Sequence, residues 1–425
     1  MDTLNPPRRL FPWVTGLLMA GILVVPGVYV LLTVWLALYG LWHVRGFAAR
    51  VWQPSLTLGA SPIWVGMAVY LAVGMGLGWW HGYEASYFEA YLPMLLAPLI
   101  VNAVVVAKPP VAMLWLGAAA GAALAGLMAM YQSLVLDVGR AGGAMNNVIM
   151  FGDLSVVLAM FTMFGWIYWG RAQKSRWLQA AFLLGTLLGL AASLLSGTKG
   201  GWLSILMLAV VFVWLAFDRW HWFKKVIVAG LVLATIVIAA FLAPPDIVVN
   251  RITIGLQGAQ TWFQTGRITE GSVSIRLEKW AQAVSMIIDK PWTGWSTQGS
   301  ILEIDQRLRA AGAGEGPGGF WTQTENDLLQ AGIVHGLPGI ASYLCLYLGI
   351  IWGFMRARQH WPNHGLWVGL ASAGVVLIVL MLEFGLSVVV LGRNAFRQTM
   401  IVWAMLALAY LIVLWQQRQT GREPS

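Results

Sequence analysis

The chain has 425 residues, 59% of them hydrophobic and only 10% charged, with a mean hydropathy of +0.72. Soluble domains carry about 25% charged residues, so the composition excludes a soluble globular protein and predicts an all-α polytopic membrane protein. The net charge of +9 implies no nucleic-acid partner, because cytoplasmic loops of membrane proteins collect Lys and Arg.

Apolar runs of bilayer length divide the chain into about twelve transmembrane helices. The expected spans are 10–25, 27–44, 62–80, 92–107, 111–136, 150–170, 177–195, 201–217, 226–243, 338–355, 366–390 and 397–415. The first two rest on Pro26-Gly27 breaking a run too long for one crossing. No small-residue cleavage site follows the first apolar stretch, so no cleavable signal peptide is expected. Three units result: helices 1 to 9 over 1–243, one large, partly helical periplasmic loop over 244–337, and helices 10 to 12 with a cytoplasmic tail over 338–425.

Basic residues orient the bundle. With both termini cytoplasmic, fifteen of the 26 Lys and Arg fall on the inner side, and short outer segments keep only Arg140, Lys199, Arg393 and Arg397. The positive-inside rule is then obeyed at every turn. Trp79, Trp80, Trp166, Trp169, Trp220, Trp222 and Trp415 stand near span ends, as an interfacial belt requires. The stretch "GAAAGAALAG" (117–126) offers small residues at four-residue spacing for close helix packing. The lone cysteine, Cys345, excludes an internal disulfide.

The outer loop opens at Pro244-Pro245 and is far longer than a connector needs. Within it, Val273, Leu277, Trp280, Val284 and Ile287 recur at helical spacing. Ser272 or Ser274 can cap this helix and Pro291 ends it, so it reads as an amphipathic helix along the membrane surface. On it, Lys279 and Lys290 are expected to snorkel to the interface. "AGAGEGPGGF" (311–320) lacks a P-loop Lys and reads as a flexible lid. "EID" (303–305) is too short to mark a metal site.

The loop closes with "TENDLLQAGIVHGLPG" (324–339). A short outer helix is expected to start at Thr324, with Asp327 completing a capping-box variant, and to break at His335–Gly339. Glu325 and Asn326 then occupy the first turn, and Glu325 and His335 stand about 15 Å apart along a straight helix. Asp137, Arg140, Asn146, Asn147 and Asp153 surround an earlier outer turn. Glu383 lies inside a span, where a carboxylate is costly. It reads either as an ion-pair partner of an arginine or as a functional group.

Together these motifs resemble the O-antigen ligase family, part of a superfamily that also holds O-antigen polymerases. That family pairs a polytopic bundle with one large late periplasmic loop, a cation in an outer turn, an arginine on a loop helix ending in Pro-x-x-Gly, and a closing His-Asn, nine residues, Gly-x-x-Gly. Here the loop helix is "SIRLEKW" followed by "PWTG", which matches Arg276. The closing motif is Glu325-Asn326 followed after nine residues by Gly336-Leu337-Pro338-Gly339. Two departures stand out: Lys199 replaces the usual arginine, and Glu325 stands where the family has histidine.

The resemblance implies an O-antigen ligase, a metal-independent, inverting glycosyltransferase of lipopolysaccharide biosynthesis without cofactor. It would move O-antigen polysaccharide from undecaprenyl pyrophosphate to a sugar hydroxyl of the lipid A core, on the periplasmic side of the bacterial inner membrane, in contact with membrane lipids. Lys199 and Arg276 would hold the pyrophosphate, with Arg267, Arg140 and Arg393 as further candidates and Asn326 and Glu383 in support. Register favours Glu325 as the base, whereas intrinsic basicity favours His335. An O-antigen polymerase would share this chemistry. A lipid-linked sugar transporter or flippase would instead require a central polar path and internal symmetry.

Overall fold

The computed structural model describes residues 6–145, 147–216, 221–227, 230, 249–268, 272–316, 319 and 321–421, with the backbone alone at Lys199 and a few other positions. Asn146, Trp220, Pro244-Pro245 and all of the expected span 226–243 but residues 226, 227 and 230 lie outside them. Every regular element among the described residues is helical. Apart from helical turns of five residues or fewer, those in chain order are α1 (Pro6–Gly21), α2 (Val28–Trp42), α3 (Ser61–Trp80), α4 (Leu92–Ala107), α5 (Ala112–Leu134), α6 (Val148–Tyr168), α7 (Arg176–Ser196) and α8 (Lys199–Ala216). Then follow α9 (Val249–Thr265), α10 (Ser272–Asp289), α11 (Thr297–Ala310), α12 (Asp327–Gln359), α13 (Gly365–Phe384) and α14 (Asn394–Gln419).

Among the described residues, eight helices are long and apolar enough to cross a membrane by length and composition. Shorter apolar helices at Leu10–Gly21, Val28–Trp42 and Gly200–Val211 coincide with three more of the expected spans. The break between α1 and α2 falls at Gly27, whose φ of 70° is open to glycine at no steric cost.

Two helices form the centre of the bundle. α6 is buried along its whole length from Phe151 to Gly165, and α14 is buried almost continuously from Ala395 to Leu414. Both are apolar along nearly their whole length, and neighbouring helices cover them on every side. Small residues set the spacing around this centre, as "GAAAGAALAG" leads one to expect. A Cβ on Gly117 would lie 2.4 Å from the Gly16 carbonyl oxygen of α1, and one on Gly126 would lie 2.5 Å from the Leu188 carbonyl oxygen of α7. With little hydrophobic drive between helices in lipid, such close backbone approach is a main source of association.

Among the described residues, α9, α10 and α11 follow α8 and a short helical stretch over 222–227, and precede α12. A second hydrophobic cluster forms where Ala283, Met286 and Ile287 of α10 pack with Ile304 and Leu308 of α11 and with Ile333 and Val334 of α12. The sequence pattern does not reveal α11, because its apolar content is low. Polar interactions hold it instead: Ser296 accepts the Gly299 N–H at 3.1 Å, and Glu303–Arg307 and Asp305–Arg309 are ion pairs one turn apart, at 2.6 and 2.7 Å. The carboxylates of "EID" are therefore spent on arginines.

The α10 stripe is also corrected. The buried positions are Ser274, Glu278, Lys279, Ala283, Met286 and Ile287, while Val284 is 48% and Ile288 71% exposed. The helix is turned because its buried side meets protein and carries an ion pair, as described next.

Candidate functional site

The "PWTG" turn and the "HGLPG" break form one joint. α12 kinks at Gly336, with φ 68° and ψ −159°, so the expected hinge is present. A kink frees backbone groups that need new partners. Pro291 O accepts the Leu337 N–H at 2.6 Å, and Ile333 O accepts the Trp295 N–H at 2.8 Å. The two backbones touch: a Cβ on Gly336 would meet Pro291 O at 2.4 Å, and one on Gly294 would meet Val334 O at 2.4 Å. Glycine at both positions follows from this approach.

The start of α12 departs from expectation. Asn326 is the N-cap, its side chain accepting the Leu329 N–H at 3.0 Å, so the helix begins at Asp327. Thr324 does not cap; its hydroxyl donates to Asn326 O at 2.8 Å. Glu325 precedes the helix in the left-handed region, with φ 55°. Two cations of α10 hold its carboxylate: Arg276 Nε at 2.6 Å and Lys279 Nζ at 2.9 Å. Lys279 is 3% exposed and also lies 4.5 Å from the centre of the Trp321 ring. It therefore does not snorkel; burying its ammonium requires a partner, and Glu325 supplies one. Lys290 is exposed and lies 3.8 Å from the centre of the Trp295 ring.

Partial burial pushes the Glu325 carboxyl up, but Lys279 and then Arg276 outweigh it and hold it below the usual carboxylate range. A carboxylate so held is a weak base. We predict that Glu325→Gln lowers stability by about 2 kcal/mol, discounted for the exposure of Glu325, by leaving the Lys279 ammonium without its counter-ion. The folded-state value lies below the unfolded one, so this contribution is complete above about pH 5 and is lost as pH falls through the depressed value. Melting of both proteins in detergent from pH 3.5 to 8 checks this. A gap that is absent at neutral pH, or that widens in acid, contradicts it.

His335 serves a different environment. Its Nε2 lies 2.7 Å from the Tyr87 hydroxyl, which lies 2.8 Å from the Tyr91 hydroxyl. Both tyrosines belong to the segment between α3 and α4. That segment is fastened to the loop, because His81 Nε2 lies 2.9 Å from Thr293 O and Tyr83 Oη accepts the Thr297 N–H. Between them lies a cavity of about 370 Å³ whose wall includes His335, Tyr87, Asp327, Gln330, Gln323 and Arg397. Asp327 is fixed by the Leu391 N–H at 3.2 Å and the Tyr347 hydroxyl at 3.3 Å. Arg397 donates to Leu391 O at 2.6 Å, and among the described residues its buried Nε has no hydrogen-bond partner. The cavity wall thus combines an imidazole, a guanidinium, a carboxylic acid group and several amides and hydroxyls, a set suited to a polar, hydroxyl-rich ligand.

The other expected residues are dispersed. Arg140 donates to Ser196 O at 2.8 Å and Gly197 O at 3.3 Å, at the end of α7. That engages the carbonyls just before Lys199, the first residue of α8. Arg267 is exposed beyond α9. Arg393 reaches Gln323 at 3.5 Å, beside the cavity. Glu383 accepts from the Ser204 hydroxyl, so among the described residues its hydrogen-bond partner is a serine of α8 rather than an arginine.

Tyr87, Tyr91 and Arg397 were not among the expected site residues. The tyrosines belong to the connector between the expected spans 62–80 and 92–107, where Tyr83, Tyr87 and Tyr91 recur every four residues, the spacing of one helical face. Arg397 registered only as an outer-side charge.

Residues 184–344 match the family model described as O-Antigen ligase (Wzy_C). The matched segment, rather more than a third of the chain, contains Lys199, Arg267, Arg276, Glu325, Asn326 and His335. It bears out the resemblance drawn from the motifs. No curated protein matches the chain.

Proposed function

We propose that this chain, which carries an O-antigen ligase segment over 184–344, is itself an O-antigen ligase of the bacterial inner membrane, with its termini cytoplasmic and its loop periplasmic. The donor is O-antigen on undecaprenyl pyrophosphate, and the acceptor is a sugar hydroxyl of the lipid A core. The observation that carries this reading is the cavity at which His335, Arg397 and the joint of α12 converge.

Transfer needs three things. Cations must receive the charge that develops on the leaving pyrophosphate. A base must take the acceptor proton as its oxygen attacks the anomeric carbon. The reacting groups must be held together out of bulk water. In our assignment Arg397 and Arg276 meet the pyrophosphate, with Lys199 at the start of α8 and Arg393 beside the cavity in support. Glu325 and Asn326 shape the chain entering α12. Glu325 orients the Arg276 fork through Nε, which leaves the two terminal nitrogens to face phosphate oxygens. His335 is the proton acceptor, since its imidazole lines the cavity and Glu325 is neutralised by two cations.

The test is transfer by the purified full chain in liposomes, with lipid-linked O-antigen and lipid A core supplied. Capped core is the expected product. Extension of the lipid-linked glycan with no capped core would make the protein a polymerase, and donor crossing the bilayer without bond formation would make it a transporter. Arg397→Ala and Arg276→Ala should each raise the donor KM about 10–100-fold, the loss of one charge-assisted contact. Unchanged donor use by both variants would refute the pyrophosphate assignment.

A further inference from the structure

The geometry points to Tyr87 as the residue through which the acceptor proton reaches His335; the inference rests on the assignment of His335 as proton acceptor. The Nε2 atom of His335 is met by a phenol at 2.7 Å. Both residues line the same cavity. The Tyr91 hydroxyl, from a buried residue, approaches the Tyr87 oxygen at 2.8 Å, and the Gly74 carbonyl lies 3.4 Å from it. A phenol oxygen can accept one proton while donating its own. Tyr87 is therefore placed to take a proton from a hydroxyl in the cavity and to pass its own to imidazole.

The step balances as follows. The acceptor sugar oxygen forms a bond to the anomeric carbon of the donor. The bond from that carbon to the pyrophosphate oxygen breaks, and its electron pair leaves with the pyrophosphate. The acceptor hydroxyl proton moves to Tyr87 Oη as the Tyr87 proton moves to His335 Nε2. Tyr87 ends as it began and imidazolium remains. No free phenolate is needed if the two transfers run together, which suits a group as weakly acidic as phenol at neutral pH. Tyr91 acts as a positioning residue: its hydroxyl, one helical turn away, holds the Tyr87 oxygen between the cavity and the imidazole.

The sequence context explains why this chain can use such a relay. Tyr87 belongs to a segment that His81 and Tyr83 tie to Thr293 and Thr297, and His335 belongs to the turn of α12 fixed by Pro291 and Trp295. The donor–acceptor distance is thus set by two backbones already joined, as a proton relay requires.

The experiment uses the full chain in liposomes with lipid-linked O-antigen and lipid A core, and compares Tyr87→Phe, Tyr91→Phe and His335→Gln. Tyr87→Phe should lower kcat about 100-fold, with donor KM, acceptor KM and melting temperature unchanged. Tyr91→Phe should lower kcat less than about tenfold, as loss of positioning alone. Single-turnover rates of the native protein in mixtures of light and heavy water should curve with deuterium content, because two protons move together. A Tyr87→Phe kcat within twofold of native, or a linear dependence on deuterium, overturns the relay. A loss in His335→Gln alone would leave His335 as direct base and remove Tyr87. Native rates in both variants would remove the His335 assignment as well. The heavy-water measurement decides the matter even if Tyr87→Phe fails to fold.

Discussion

Substituting His335 with glutamine is expected to reduce glycan transfer by about 10²–10⁴-fold, the usual contribution of a positioned base, while the protein remains at its normal level in the membrane. Glutamine keeps much of the volume and can still hydrogen-bond Tyr87, but it cannot hold a proton at neutral pH. The comparison with Glu325→Gln separates chemistry from architecture. Glu325 is neutralised by Arg276 and Lys279, so its loss should show first as weaker folding and weaker donor binding. The His335 variant should keep its melting temperature and lose turnover. These are read from single-turnover rates, donor titration and thermal melts of the same preparations. If Glu325→Gln loses turnover at unchanged melting and donor affinity, while His335→Gln stays active, the proton acceptor is Glu325.

The second large effect is structural. Gly336→Ala should destabilise the protein by about 3–5 kcal/mol, the sum of backbone strain and forced overlap. Its φ of 68° and ψ of −159° lie in a region essentially confined to glycine. The added carbon would also lie 2.4 Å from the Pro291 carbonyl oxygen. Gly312→Ala provides the comparison, since Gly312 also has a positive φ of 86° but nothing within 4 Å of its Cβ position. It should cost about 1 kcal/mol. Membrane level and melting temperature of the two variants check this. Equal effects would mean that contact with Pro291 contributes nothing.

Much of the helical layout was legible because hydropathy and glycine signals act locally. The run length at Pro26-Gly27, the small-residue spacing at 117–126 and the break at His335–Gly339 each depend on neighbours in sequence, and the structure holds all three. What could not be read were pairings across distance. Lys279 was expected at the interface as a long cationic side chain on an amphipathic helix. Its partner, Glu325, lies 46 residues away. Tyr87 and His335 are 248 residues apart, and a single sequence gives no reason to join them. The turned face of α10 has the same origin, since a hydrophobic stripe marks what prefers to leave water without saying whether lipid or protein receives it. The start of α12 was misplaced by a local competition: Thr324, Asn326 and Asp327 are all possible caps, and the Asn326 side chain takes that role.

The joint at Gly336 also makes α12 a lever. From Leu337 to Gln359 the helix extends about 35 Å, and its near end is fixed by backbone contacts to the turn that finishes α10. A rotation of about 5° at the joint would carry the far end through about 3 Å. Arg356 and Arg358 sit at that far end. A change of angle at Gly336 would therefore be felt a full helix length away, at Arg356 and Arg358.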